Sequence, residues 1–484
     1  MPSRRKFLAG AAAGLGVAAL PMLRPDAATS GAAPAARPRT RAVPAAARAA
    51  DRPNIVLIVA DDLGYGEVGA YGQRLIRTPS IDRLAAEGLT FTQAYANAPV
   101  CAPARCSLLT GMHTGHAAVR ENPFDGPQGS LGPGDTTFAE ILRARGYRTA
   151  CFGKWGFGPE KPGQPSSPEA RGFDEFYGYI THGHAQKYHP RYLFHNGKRV
   201  RAHGAYAPDL IQERAMRFLK DAGDDPFLLY LTPNLPHAPS DVPNLAPYGD
   251  KPWPRADRGH AAQVTRLDAY VGAITALLRR RGLAERTIVL VTSDNGPHEE
   301  KGFDPDRFDA NGPLRGYKRN LYEGGIRVPF IAWSPGRVPP GVSDRPLAHI
   351  DVLPTLAGLS GARAPRTDGL SAVPALAGTR RTGHRPGHLY WYRNDKYATR
   401  RADRAEHGRM KHLAEAVRDG DWKAIRYAPG RDRTAPDRRW HVELYDLATD
   451  PGERHDVAGR HPKVADRLVR LMHESWRAPQ HTTR

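Results

Sequence analysis

Two apolar runs end on side chains that could hold a cation. "NIVLIVADD" closes on Asp61 and Asp62, and "TIVLVTSDN" closes on Asp294 and Asn295. Together they offer three carboxylates and one amide oxygen. This hard-oxygen set, without sulfur or an obligatory imidazole, suits Ca2+ or Mg2+ better than Zn2+. A single Asp-Asp pair at a strand end also serves turn or helix-cap chemistry, but two such pairs at two strand ends argue for a metal. Cations of the chain's own stand at similar places: Arg105, Lys154 in "FGKW" and Lys318 in "LRGYKRN". Several fixed positive charges converging beside a metal would hold an oxyanion. His237 in "NLPHAP" would supply a proton or a hydrogen bond. Cys101 opens "CAPARCSLL", a C-x-P-x-R run at what reads as the first turn of a helix, where anions are favoured. A buried structural cysteine needs no such surroundings.

These residues need rigid elements behind them. The run before Asp61 is continuously apolar, as in a central strand of a parallel sheet covered on both faces. "TPSIDRLAAEGL" reads as a helix with Ser80 as its N-cap. "TTFAEILRARGY", "APDLIQERAMRFLKDA" and the long "QVTRLDAYVGAITALLRRRG" also read as helices. "RTACFGKW", "PFLLYLTPNLPH", "RTIVLVTSDNG" and "RVPFIAWSPG" read as strands. The alternation predicts an α/β fold with a large, mostly parallel sheet flanked by helices, spanning residues 51–375. In such sheets ligands bind beyond the carboxyl ends of the strands, where the polar residues above fall. From about residue 376 the texture changes to short strands and turns, closing on a helical "PKVADRLVRLMHESW". Residues 376–484 are therefore expected to form a smaller α+β subdomain with short antiparallel strands and a terminal helix.

The chain has 484 residues, 40% of them hydrophobic, enough for a large core. Lys plus Arg is 70 against 50 Asp plus Glu, a formal charge of +20. No basic-aromatic block, zinc-finger or RNA-binding signature accompanies that charge, so nucleic acid is not an expected partner. A solvated Arg-rich surface and attraction of an anionic substrate both account for it. "MPSRRKFLAGAAAGLGVAALPML" looks like a twin-arginine export signal, with Arg4 and Arg5 before a weakly apolar stretch; an uncleaved anchor is the alternative reading. An Ala/Pro/Arg tract follows, so residues 1–50 are assigned to signal peptide and disordered linker. No stable membrane span is expected. The chain has three cysteines, which is no disulfide framework. Cys106 and Cys151 read as small buried hydrophobes.

"CAPAR" followed by "SLLTG" resembles the C-x-P-x-R signature of type I sulfatases. "PNIVLIVADDLGYGEVGAYG", "GKW", "GFDEFYGY", "VTSDNGPH", "LRGYKRNLYEGGIRVP" and "ELYDLATDPGERHDV" are similar to stretches of that family in the same order, from Asp51 to about Val457. The resemblance implies an alkaline-phosphatase-like sulfatase fold. It implies that a separate formylglycine-generating enzyme oxidises Cys101 to formylglycine. The aldehyde hydrates to a geminal diol, one hydroxyl attacks the sulfur of a sulfate monoester, and the alcohol leaves. The second hydroxyl then loses its proton and the aldehyde reforms as sulfate is expelled. Position by position, Asp61, Asp62, Asp294 and Asn295, with Cys101, would bind Ca2+, with Mg2+ the alternative. Arg105 would hold the formylglycine hydrate, Lys154 and Lys318 would neutralise the sulfate oxygens, and His237 would serve the leaving alcohol.

One departure is plain. Many members read G-K-W-H-x-G, but here "GKWGFG" places Gly156 where a histidine assists the nucleophile. His182, His184 and His189 crowd "GYITHGHAQKYHPRYLFHNG", and His184 is the expected substitute. That loop and "TGMHTGHAAVRENP" resemble bacterial sulfatases acting on sulfated carbohydrates, which implies a sulfated sugar, such as a galactose-type residue, as substrate, with aryl sulfates the alternative. The expected location is the cell exterior, periplasm or cell surface, reached through the twin-arginine machinery. The rivals are a phosphate or phosphonate monoester hydrolase of the same superfold and a non-catalytic secreted binder of sulfated polymers. A zinc hydrolase fails for want of H-E-x-x-H or paired C-x-x-C spacing.

Overall fold

The computed structural model describes residues 52–123, 127–161 and 163–478. The signal and linker assigned to residues 1–50 lie outside the described residues. Sixteen strands are found among them: β1 Asn54–Ala60, β2 Leu89–Phe91, β3 Ala94–Tyr95, β4 Arg148–Lys154, β5 Glu175–Tyr179, β6 Tyr192–His195, β7 Lys198–Arg201, β8 Phe227–Thr232, β9 Thr287–Ser293, β10 Phe330–Trp333, β11 Gly341–Ser343, β12 Leu347–Ala348, β13 Leu389–Arg393, β14 Ala414–Asp419, β15 Trp422–Tyr427 and β16 His441–Asp446. Ten form one sheet in the order β11-β2-β10-β9-β1-β8-β4-β5-β6-β7. Its centre, β9-β1-β8-β4-β5, is parallel throughout. Antiparallel pairs lie toward both edges, so the sheet is mixed around a parallel core.

The continuous apolar run of β1 has a simple cause. Val56, Ile58 and Ala60 enter one core, while Ile55, Leu57 and Val59 enter the other. Alternate side chains point to opposite faces, and helices cover both. The helices Ala207–Lys220 and Arg255–Arg280 send Ile211, Phe218, Leu267 and Ile274 to the first core. The helices Cys101–Thr110, Phe138–Ala144 and Val352–Leu359 send Cys106, Leu109, Leu142 and Leu353 to the second. Cys106 and Cys151 are buried apolar residues of that second core, as expected. The helix Cys101–Thr110 is buried at all ten positions, which suits its lack of a polar face.

Two local expectations change. Ser80 is not the cap of its helix, which runs Pro79–Glu87 with Thr78 at the N-cap. The free N–H groups of Ser80 and Ile81 donate instead to the Asp268 carboxylate of the long helix, at 2.9 and 2.8 Å. β10 runs antiparallel to β9, because the chain between them carries Lys318 over the active end of the sheet and re-enters from that end, without a crossover helix.

The C-terminal portion forms a four-stranded antiparallel sheet, β13-β14-β15-β16. Leu468 and Met472 of the helix Pro462–Glu474 pack on one face, with Val417 and Leu444. The other face, with Trp391, Ala416 and Ile425, covers Leu321, Tyr322 and Ile326, which follow Lys318 in the chain.

Candidate active site

Sheet register brings the two acidic pairs together. β1 and β9 pair from Asn54↔Thr287 to Ala60↔Ser293. Asp61 and Asp294 are therefore the next residues out, side by side at the carboxyl end. β4 ends on Lys154, one residue beyond the Gly153↔Thr232 pair with β8. Cys101 heads its buried helix, and Arg105 follows one turn later.

The side chains interlock. Lys154 Nζ donates to both Asp61 oxygens at 2.8 and 2.9 Å. Arg105 Nε donates to Asp294 Oδ2 at 2.9 Å, and its Nη2 lies 3.4 Å from Asp61 Oδ1. Asp62 has φ 70°, a left-handed conformation that costs a non-glycine residue about 1–3 kcal/mol and persists where surroundings impose it. Those surroundings are visible. The Asp62 N–H donates to Asp294 Oδ1 at 3.0 Å. Its carboxylate accepts from Asn295 Nδ2 at 2.7 Å and from Lys318 Nζ at 2.7 Å. Cys101 Sγ, in the place of the formylglycine oxygens, lies 3.8 Å from Asp62 Oδ1. One atom each of Asp61, Asp62, Cys101 and His237 lie within 4.8 Å of one another.

The donor set fits a hard divalent cation. Asn295 Oδ1 is buried and accepts no hydrogen bond, an orphaned oxygen of the kind a cation satisfies. Burial alone would raise the Asp61 carboxyl, but Lys154, His237, Arg105 and Lys318 hold it well below the carboxylate range. Burial also opposes ionisation of Asp62, and Lys318 overcomes it. For Asp294 burial wins: despite Arg105, and with Asp61 adding repulsion, its carboxyl is pushed up to about 7. A third negative charge in this space needs a positive partner. Burial drives the Cys101 thiol far up against the pull of Lys154 and Lys318, so an unmodified Cys101 is a protonated thiol, not a ready thiolate.

His237 is poised by its two ring nitrogens. Nδ1 lies 2.6 Å from Ala238 O and donates to it, which leaves Nε2 to accept from Lys318 Nζ at 3.3 Å. Burial and then Lys318 keep the ring neutral, against the pull of Asp62.

Cys101, Lys154, Lys318 and His237 line one cavity. His184 does not. Its Nδ1 faces Glu160 at 3.5 Å, and its ring packs on Tyr179 and Tyr192 at 5.0 and 4.6 Å between centroids. The expectation that His184 reaches the site is corrected, because the aromatic cluster behind β5 holds that ring. His189 is half exposed, with Nδ1 2.8 Å from Gly204 O. His182 lines the cavity instead. Gln128, Glu300 and Arg319 line it too, and no motif marks them: Gln128 lies in a patternless loop, and Glu300 and Arg319 are paired at 2.7 Å across separate loops.

A mixed sheet with a parallel core, carrying an oxygen-rich cluster and three fixed cations at its carboxyl end, defines a hydrolase of the alkaline-phosphatase-like architecture. A family model described as "Sulfatase" matches residues 53–362, and one described as "N-sulphoglucosamine sulphohydrolase, C-terminal" matches residues 316–479. The chain belongs to the sulfatase family and is a sulfuric ester hydrolase. It is 33% identical to arylsulfatase A of Homo sapiens, covering 87% of this chain and 87% of that protein. It is 30% identical to N-acetylgalactosamine-6-sulfatase of Canis lupus familiaris, over 88% and 85%. The solved structure of Ps i-CgsB in complex with k-i-k-neocarrahexaose matches with a TM-score of 0.75 at 29% identity, covering 89% of this chain and 96% of that one.

Proposed function

We propose that this enzyme hydrolyses a sulfate ester on a saccharide, with Cys101 acting as a formylglycine hydrate. The carrying observation is the setting of residue 101: a buried position at the head of a helix, between Asp62, Lys154 and Lys318. A thiol is held inert there. Asp61, Asp62, Asp294 and Asn295 would hold the divalent cation, Ca2+ with Mg2+ the alternative. Bound there, it would draw charge from the sulfate oxygens and acidify the nucleophile. Arg105 steadies Asp294 and Asp61 beneath residue 101. Lys154 and Lys318 face the cavity and take the sulfate oxygens. One hydroxyl of residue 101 gives its proton to the Asp62 carboxylate beside it and attacks sulfur, the sulfur–oxygen bond to the alcohol breaks, and the alcohol oxygen takes its proton from the His237–Lys318 pair. The second hydroxyl gives up its proton, the carbonyl forms, and sulfate leaves.

A saccharide is favoured by the oligosaccharide held in the Ps i-CgsB structure and by the N-acetylgalactosamine-6-sulfatase relatives. Export follows from Arg4 and Arg5 in the opening sequence, and no described helix is long and apolar enough to cross a membrane. The partners in this reading are a formylglycine-generating enzyme and the twin-arginine machinery.

The test is a peptide mass spanning Cys101 in protein from its native host, followed by a screen of sulfated mono- and disaccharides beside aryl sulfates and a phosphonate monoester. We expect formylglycine or its hydrate, and sulfate release from a sugar. An unmodified thiol in active protein would overturn the nucleophile, and preference for the phosphonate would overturn the substrate.

A further inference from the structure

The proposed cycle needs a base for its last step, and Gly156 offers none. Most groups around residue 101 are already committed. Lys154 and Lys318 are ammonium donors held on Asp61 and Asp62. His237 accepts from Lys318, and Glu300 is tied to Arg319. Among the described histidines that line the cavity, His182 alone has a buried ring nitrogen without a hydrogen-bond partner, its Nε2.

The position of that nitrogen is informative. A Cβ built on Gly156 would lie 3.0 Å from His182 Nε2 and 3.3 Å from its Cε1. The imidazole of His182 therefore crowds the space that a side chain at Gly156 would enter. Gly156 also has φ 93°, a conformation that favours glycine. A third residue joins the two. Gln128 Nε2 donates to Gly156 O at 2.7 Å, and Gln128 Oε1 accepts from the backbone N–H of His182 at 3.3 Å, which fixes the start of the turn that carries the ring. Downstream, the Thr181 hydroxyl accepts from the His184 N–H at 3.4 Å, fixing the short turn on which His182 sits.

We infer that His182 is the catalytic base of desulfation in this enzyme, delivered from a different loop to the place left open by Gly156, with Gln128 as the residue that positions it. In the step assigned to it, Nε2 takes the proton of the second hydroxyl on residue 101. The O–H electron pair becomes the second bond of the carbonyl, the carbon–oxygen bond to sulfate breaks, and sulfate departs with the pair of that broken bond. The inference rests on the formylglycine reading above.

The experiment compares wild type, His182→Ala and His182→Gln, each first checked for formylglycine at position 101 and for its melting temperature. Each is mixed with 4-nitrophenyl sulfate, quenched in acid, and the peptide bearing residue 101 is weighed. Alcohol release should show a burst of about one equivalent per enzyme in both variants, with turnover slowed by about 10²–10⁴-fold. The peptide should then carry a sulfate adduct absent from wild type, and added imidazole should discharge it from His182→Ala. Turnover within a few-fold of wild type, or loss of activity without an adduct in folded, formylglycine-bearing variants, would overturn the assignment to His182 while leaving the sulfatase reading intact. Wild type lacking formylglycine yet turning over would overturn both.

Discussion

Asn295 Oδ1 is the atom that best marks the acidic cluster as a cation site, since its amide N–H2 is already spent on Asp62 and Gly296 O. Asn295→Ala should bind its cation at least about tenfold more weakly, read as metal content after dialysis and as a smaller rise in melting temperature on adding Ca2+ than the rise expected for wild type. Equal metal content would refute the role. His184 makes the opposite case. Its ring packs on Tyr179 and Tyr192, away from the cavity. His184→Ala should keep kcat/KM within a few-fold of wild type while losing about 1 kcal/mol of stability; a collapse in kcat at unchanged stability would contradict this. Asn295 and His184 show what sequence can offer at this scale. Residues fixed by strand ends and motif spacing, such as Asp61, Asp294 and Lys154, were readable. In a loop with His182, His184 and His189 close together, which ring reaches the cavity depends on partners such as Gln128, which accepts from the backbone N–H of His182, and Glu160, which faces the His184 ring, and spacing reveals neither.

At the scale of elements, apolar runs gave away the central strands because both faces of β1, β8 and β9 are covered. Short edge strands were illegible for the converse reason: β7 is "KRVR", largely exposed, and its pairing with β6 owes nothing to burial. Caps supplied from distant elements were equally hidden. Asp268 accepts the N–H groups of Ser80 and Ile81 from 188 and 187 residues away. Asp268→Ala should cost about 1–2 kcal/mol in urea unfolding, whereas Ser80→Ala should cost far less. The reverse order would restore Ser80 as the cap.

The whole molecule is held by charge as well as by apolar contact. The described residues cluster as one unit. In the C-terminal sheet, Lys423 is fully buried and bridges Glu323 and Glu453, 2.9 Å from each. Glu323 stands five residues after Lys318. Arg393 Nη1 donates to Arg319 O at 3.0 Å, and Asn320 Nδ2 donates to Ala402 O at 3.0 Å. The C-terminal sheet thus props the loop that carries Lys318 to the cavity, which the change of texture near residue 376 did not announce. Lys423→Met strands two buried carboxylates and should destabilise the protein by about 3–5 kcal/mol, measured by thermal or urea unfolding. A neutral effect would mean that the apolar face of the small sheet suffices.

The depth of the helix Cys101–Thr110 sets a timetable. Residue 101 is 1% exposed, behind walls that include segments made hundreds of residues later, Lys318 among them. Any enzyme that must grasp this cysteine has to do so while the chain is still young and open. On the formylglycine reading, molecules that close first would keep their thiol for life, and the active fraction of a batch would record a race between the modifier and the ribosome's last residues.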